Sequence, residues 1–329
     1  MEKLIAQFPK HISDALVAAR ETVFHSLKDK QFDNVVVCGM GGSGIGGRLI
    51  SQWFAETCSV PITLVQDYNV PGFVNEKTLV IGSSYSGNTE ETIQAIQDAI
   101  GKKATVVGVS SGGELIRICK AHNFDYVKVP GGNPPRSMLA FSIVHLVNIF
   151  SQAKLIGVDS LDAINRCRHL LNNELLSIKT SAKELAEFAH NKQLIIYSAN
   201  QFEGVSVRLR QQFNENAKQL CWHHVIPEMN HNELVGWGGG NDHFAVVFIS
   251  GNNNHPKLAR RFELTREIVQ RKTQHTFNLQ AKGTNILEET FFLIHIIDWA
   301  SIYLAEFNQQ DPMEIKVIDY LKDQLEKLS

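Results

Sequence analysis

Two short stretches of the sequence carry groups able to hold an anion. Residues 35–50, VVVCGMGGSGIGGRLI, pass from an apolar run into six glycines within 39–47. Bare backbone lets amide N–H groups approach a ligand closely, and a helix that follows turns its positive end toward the same place. Residues 78–92, TLVIGSSYSGNTEET, gather Ser83, Ser84, Ser86 and Thr89 in a turn with Gly87 and Asn88, just ahead of a second helix. Hydroxyls clustered at a helix start donate to phosphate oxygens without adding a charge. A phosphate monoester suits both stretches, with Gly42, Ser43, Ser84, Ser86 and Thr89 as its candidate ligands.

Two other readings compete. Gly39, Gly41 and Gly44 fit G-x-G-x-x-G, and Asp67 follows the next strand, where a dinucleotide fold wants an acid for the ribose. Glycine is so dense here that the match discriminates little, and a nicotinamide site has no use for the hydroxyl-rich turn. Helix capping by Ser86 or Thr89 accounts for one hydroxyl and leaves the others without a role.

The elements that must hold these turns are written as alternating runs. VVVC (35–38), PITLV (61–65), TLVIGSS (78–84), ATVVGVS (104–110) and FDYVKV (124–129) are predicted strands, separated by stretches with apolar residues at helical spacing. Strands joined by such helices pair in parallel through right-handed crossovers, which makes a doubly wound α/β sheet. GGNPPRS (131–137) breaks the series, and SMLAFSIVHLVNIFSQAK follows as a buried apolar helix. A second series has strands QLIIYSA (193–199), CWHHVI (221–226), HFAVVFIS (243–250) and HTFNL (275–279), with helices starting near Glu203, Asn232, His255 and Asn285. The expected organisation is two α/β domains, residues 1–154 and 155–329, the same architecture used twice without a residue-level repeat. DPMEIKVIDYLKDQLEKLS closes the chain as a helix, with Asp311 at the N-cap and Pro312 at the first helical position.

The 32 Lys plus Arg nearly balance 34 Asp plus Glu, so no global field draws the chain to nucleic acid or an anionic membrane. The N-terminal MEKLIAQFPKHISDALVAAR lacks the layout of a signal peptide, and no uninterrupted apolar run reaches the roughly 18 residues of a membrane span. A soluble, cytoplasmic protein is expected. Cys38, Cys58, Cys119, Cys167 and Cys221 are scattered without CxxC pairing and read as reduced thiols. His223, His224, His231 and His243 lie near Cys221 and Glu228, yet adjacent strand histidines face opposite ways and no ligand spacing emerges. No metal and no cofactor is expected.

SSYSGNTEET after a strand resembles the phosphate loop of the sugar isomerase (SIS) domain, and GMGGSGIGG resembles that fold's first strand-to-helix loop. GGNPPRS, FNENAKQ, IPEMNHNELVGW and a terminal D-P…IDYLK match, in order, the tandem-SIS bifunctional phosphoglucose/phosphomannose isomerases of the phosphoglucose isomerase superfamily; the matches span 35–322. The resemblance implies two SIS domains, each a mainly parallel sheet flanked by helices, with the phosphate loops in the first and the catalytic Glu and His in the second. It implies an aldose–ketose isomerase of carbohydrate metabolism, interconverting glucose 6-phosphate and mannose 6-phosphate with fructose 6-phosphate through an enediolate. Such a reaction asks for a phosphate anchor, a base over C1 and C2, a positive group beside the developing oxyanion, and an acid/base for ring opening.

The resemblance assigns these roles residue by residue. Glu215, in RQQFNENAK, is the proton shuttle, with Phe213 and Ala217 limiting its hydration; by composition alone a helical Glu is a solvated surface residue. His231 opens the ring, the plain alternative being capping by its neighbours Asn230 and Asn232. Arg136, stiffened by Pro134 and Pro135, faces the enediolate. Lys322, in IDYLK, stands near the sugar ring, with Lys316 the other candidate. Relatives commonly carry Thr where this chain has Met313, which sets glucose 6-phosphate ahead of mannose 6-phosphate. The alternative is a non-catalytic SIS-type sugar-phosphate-binding regulator, which would keep Ser84, Ser86 and Thr89 and lack the base. The apolar runs SMLAFSIVHLVNIF and FFLIHIIDWASIYLAEF (291–307) offer subunit surfaces, so a homodimer is expected. The resemblance implies that His231 reaches the neighbouring active site.

Overall fold

The computed structural model describes residues 1–252, 255–325 and 327. The chain divides into two compact units, the first made of Ala6–Glu174 and Lys282–Phe292, the second of Met1–Ile5, Leu175–Ala281 and Leu293–Ser329. Every strand predicted from the sequence is present.

The first sheet runs in the order β2-β1-β3-β4-β5, with every pair parallel. Its strands are β1 (Asn34–Cys38), β2 (Ile62–Val65), β3 (Thr78–Ser83), β4 (Thr105–Ser110) and β5 (Asp125–Lys128). All residues of β3 and β4 are buried, as central parallel strands covered on both faces must be. Val36, Val80 and Val106 pack with Ile96 and Leu115 from the helices Glu90–Gly101 and Gly113–Ala121. Cys38 aligns with Gly82, so the loops leaving β1 and β3 start from adjacent strand ends. From β1 the chain goes outward to β2, then crosses to the other side for β3; a sheet that reverses in this way opens a crevice at the carboxyl ends of those strands.

Helix Leu139–Gln152 packs on the helices Phe8–Glu21, Gly41–Trp53 and Ser160–Asn173. Ile143, Val144, Leu146, Ile149 and Phe150 are sealed from solvent. The apolar run expected to serve as a subunit surface is therefore spent inside the first unit. Ser160–Asn173 buries Ile164, Cys167 and Leu171 and stays with the first unit, so the chain passes into the second unit at Glu174, later than the 154/155 boundary expected from the sequence.

The second unit repeats the plan with β6 (Gln193–Ala199), β7 (Cys221–Ile226), β8 (Phe244–Ser250) and β9 (Thr276–Gln280), all parallel in the order β7-β6-β8-β9. Helix Ile286–Phe307 is long and apolar enough to cross a membrane by length and composition, although most of it is buried inside the protein. The portion from Leu293 onward, which belongs to the second unit, buries Leu293, Ile297, Trp299 and Leu304. Those side chains too are internal, rather than a free face. The last helix corrects an expectation: it begins at Lys316, not beside Asp311 and Pro312. Asp311–Glu314 is instead a turn in which Asp311 Oδ1 accepts the Met313 N–H at 2.8 Å. Of the predicted terminal helix, Glu326, Leu328 and Ser329 lie outside the described residues.

Burial also gives the fold a pH dependence. His145, 1% exposed on helix Leu139–Gln152, has its imidazole held down to about 4 by desolvation, against about 6.5 in an unfolded chain. Between those values the unfolded chain takes up a proton that the folded one refuses, so stability present above pH 6.5 is lost as pH falls toward 4. Lowering the pH from 7 to 5 is expected to cost about 2 kcal/mol through this group. Urea unfolding at the two pH values measures it, and His145→Gln should remove that part of the pH slope; an unchanged slope refutes the assignment.

Candidate active site

In the first unit the two predicted anion stretches meet at the crevice. Helix Gly41–Trp53 starts directly after β1; the Ser43 and Gly44 N–H groups donate to the Met40 carbonyl at 3.0 and 2.9 Å, and the amides of Gly41 and Gly42 precede the first residue that can bond within the helix. The glycines are needed for close approach: a Cβ at Gly39 would stand 2.7 Å from the Ser83 carbonyl oxygen, and one at Gly42 would stand 3.2 Å from the Arg136 nitrogen. Ser83 Oγ donates to the Ser43 carbonyl at 3.0 Å, and the Tyr85 N–H donates to Ser43 Oγ at 3.0 Å. The loop after β1 is thereby stitched to the loop after β3.

Within the β3 loop, Ser84 is fully buried and its Oγ shares a 2.8 Å hydrogen bond with Thr89 Oγ1 while accepting from the Gly87 N–H. Thr89 holds the N-cap position of helix Glu90–Gly101 without a side-chain cap bond, so the capping alternative is not what its hydroxyl does. Ser86 is exposed and accepts from the Asn88 N–H at 3.2 Å. Gly87 has φ +73°, and a Cβ there would lie 1.9 Å from the Gly112 carbonyl oxygen, so this turn admits only glycine. Tyr85 OH donates to the Pro130 carbonyl and accepts from the Asn133 N–H, tying the β3 loop to the segment that leads to Arg136. Arg136 lies in the short helix Pro135–Ser137 and is 3% exposed. Gly42, Ser43, Ser83, Tyr85, Pro135 and Met138 line one small cavity there. The first unit thus gathers Gly42, Ser43, Ser84, Ser86, Thr89 and Arg136 at one sheet end. Asp67, the acid a dinucleotide site would need, is exposed and accepts from its neighbour's Tyr68 N–H.

The second unit holds the other candidates. Glu215 is half-buried in the last turn of helix Glu203–Ala217, between the fully buried Phe213 and Ala217. That helix is fixed by a buried network along its inner face. Arg208 Nε and a terminal nitrogen donate to the two carboxylate oxygens of Asp298 at 3.0 and 2.9 Å, Gln212 Nε2 donates to Asp298 Oδ1 at 2.7 Å, and Asn216 Nδ2 donates to Ser301 Oγ at 2.9 Å. His231 ends the short helix Glu228–His231 and is exposed, and its imidazole makes no hydrogen bond among the described residues. Lys316 and Lys322 are exposed at the first turn and the outer part of the terminal helix.

The segment carrying His231 is anchored by residues that sequence reasoning missed. Glu233 accepts from Tyr197 OH and pairs with His224 Nδ1 at 2.7 Å, while Trp237 Nε1 donates to Tyr197 OH at 2.9 Å. Burial, then the Glu233 carboxylate, push the Tyr197 phenol well above its ordinary value, so it stays a donor. Glu233 and Trp237, one helical turn apart in NHNELVGW, were the available signal. Nothing near in sequence announces that Arg208 and Lys218 find partners about ninety residues on. Among the described residues no group of three or more His, Cys, Asp or Glu side chains comes together as a metal site.

Comparison with known proteins narrows what this arrangement serves. The family described as bacterial phospho-glucose isomerase C-terminal SIS domain matches residues 178–325. The bifunctional phosphoglucose/phosphomannose isomerase of Caldicellulosiruptor bescii is 32% identical, covering 100% of this chain and 99% of the relative. The protein of the same name from Thermoplasma volcanium is 34% identical over 91% of this chain and 94% of its own length. Among solved structures, the C-terminal domain of glucosamine-fructose-6-phosphate aminotransferase from Francisella tularensis superposes with a TM-score of 0.77 at 12% identity, covering 95% of this chain and 98% of that one, which is a likeness of fold alone.

Proposed function

This chain belongs to the bifunctional phosphoglucose/phosphomannose isomerase family, and from that footing we propose which of its residues carry the reaction. It is a sugar-phosphate isomerase that interconverts glucose 6-phosphate with fructose 6-phosphate. The observation that carries this is identity of 32–34% over nearly the whole chain to enzymes of that name; the regulator alternative is not favoured.

The phosphate rests on Ser43, Ser86, Thr89 and the first-turn amides of Gly41 and Gly42, with Ser84 shaping the turn beneath it. Support comes from the hydroxyls and bare backbone gathered at one switch point, where uncharged donors can grip an anion. A neutral His231 takes the proton of the anomeric hydroxyl and returns it at the ring oxygen, which opens the ring. The Glu215 carboxylate removes the C2 proton of the aldose, and the electron pair moves into the C1–C2 bond as the carbonyl oxygen becomes an oxyanion facing the Arg136 guanidinium. The same carboxyl then gives its proton to C1, while a hydroxyl proton passes from O2 to O1 and leaves the ketone at C2. Lys322, or Lys316 in its place, stands by the ring. Mannose 6-phosphate is the second and poorer aldose, because Met313 replaces the hydroxyl common in relatives.

The working form is a cytoplasmic homodimer in which His231 of each copy serves the other's site. An exposed histidine whose imidazole has no hydrogen-bond partner among the described residues supports this, as does the exposure of apolar residues on the terminal helix. Val317, Tyr320 and Leu321 there are 81%, 66% and 58% exposed. The test offers fructose 6-phosphate to purified, chelator-treated protein, follows the two aldose products separately, and sizes the active species. Glucose 6-phosphate in excess of mannose 6-phosphate from a dimer is expected. Absence of both products sinks the assignment, and an active monomer sinks the shared site.

A further inference from the structure

Lys218 does more than end a helix. It follows Ala217 in a left-handed conformation, φ 52° and ψ 39°, which turns its side chain back under the helix end. Its ammonium donates to three backbone carbonyls, those of Glu215 at 2.9 Å, Asp311 at 2.6 Å and Glu314 at 2.8 Å. An ammonium has three donors, and here three acceptors converge on it from two segments far apart in the chain. The Asp311–Glu314 turn is folded around that charge. The Asp311 carbonyl also accepts the Glu314 N–H at 3.3 Å, Asp311 Oδ1 caps the Met313 N–H, and Glu314 Oε1 caps the Lys316 N–H. One cation therefore references the turn that carries Met313, and the start of the terminal helix, to the backbone of Glu215.

We propose that Lys218 is a positioning residue that holds Glu215 and the Asp311–Glu314 turn in a single register, and through that register sets the proportion of the two C2 epimers formed. The inference rests on Glu215 as the base. A planar enediolate can be protonated at C2 on either face only as the sugar presents one face or the other to a single carboxylate. What flanks the carboxylate then decides the proportion. A clamp on both segments keeps that flank constant, whereas the phosphate is gripped by other residues and does not depend on it.

The test replaces Lys218 in a Cys58→Ser background, since Cys58 is the one free thiol that is not buried among Cys38, Cys58, Cys119, Cys167 and Cys221. Lys218→Met and Lys218→Cys are expected to lower kcat by about 10- to 100-fold with KM within about threefold, and to change the ratio of glucose to mannose 6-phosphate. Alkylating the Lys218→Cys protein with 2-bromoethylamine restores an ammonium on an arm of nearly the same length, and should recover kcat and the wild-type ratio. Alkylation with iodoacetamide, which leaves a neutral arm, should not. Wild-type kcat and ratio in Lys218→Met, a loss confined to KM, or equal recovery with the neutral arm each overturn the proposal. Glu215→Gln is assayed alongside: if it turns over like the wild type, the base assignment has failed, whatever Lys218 does.

Discussion

Glu215→Gln is expected to lower the turnover of fructose 6-phosphate by about 1,000-fold, within the range that a general base contributes, and to leave KM within a few-fold. The amide has the shape of the carboxyl and the same reach, but it cannot take a proton from carbon. The residue is half-buried at a helix end and Gln keeps its shape, so the substitution should leave the unfolding midpoint nearly unchanged. The split between a collapsed kcat and a preserved KM follows from the division of roles, because the donors assigned to the phosphate are other residues. A second readout is isotopic. In heavy water the wild type should put deuterium at C2 of the aldose product, since a half-buried acid exchanges its proton with solvent between steps, whereas the variant should incorporate almost none. Retained turnover in Glu215→Gln would end the enediolate reading for this residue.

The second large effect is on folding. Asp298→Ala should destabilise the protein by about 3–5 kcal/mol, because it takes from the buried guanidinium of Arg208, itself 1% exposed, the carboxylate that pairs with it. Gln212 loses its acceptor in the same step. Replacing both partners with apolar residues of similar volume, Arg208→Met with Asp298→Leu, should cost far less than Asp298→Ala alone, since no charge is then stranded. Urea unfolding of the three proteins measures the difference. A loss below about 1 kcal/mol in Asp298→Ala would show that water or a second group compensates Arg208. Because this network is what seats the helix of Glu215, the paired variant is also expected to lose part of its kcat.

Most of the fold was legible because parallel strands bury both faces. Runs such as TLVIGS and TVVGVS are nearly continuous in apolar residues and are bounded by Gly or polar residues, so strand and turn announce themselves locally. The hydroxyl loop was legible for the same reason: Ser84, Ser86 and Thr89 sit within six positions of one another. What stayed hidden depends on distant partners. Asp311 and Pro312 read as a helix start, but the Asp311 and Glu314 carbonyls are drawn to Lys218 instead. The run around Leu146 reads as an interface only while the helices that cover it are unknown. Arg208 and Asp298 each read as solvated charges until the fold places them together, and no spacing rule in a single sequence joins positions 208 and 298. The mutual bond of Ser84 and Thr89 lies between these cases, adjacent in sequence yet settled by how the turn closes.

The shared strand order of the two sheets bears on how such a chain can change over time. A doubled scaffold opens two mouths, and a single phosphate needs only one. β1 runs into six glycines, whereas β6 runs into Asn200, Gln201 and Phe202 and then a helix with one glycine, Gly204, in its first turn. With the phosphate on the β1 and β3 loops, as proposed, the second sheet's loops carry no such duty. Its loops are where innovation is cheapest, and new substrates should be won there by drift that leaves the anion grip untouched.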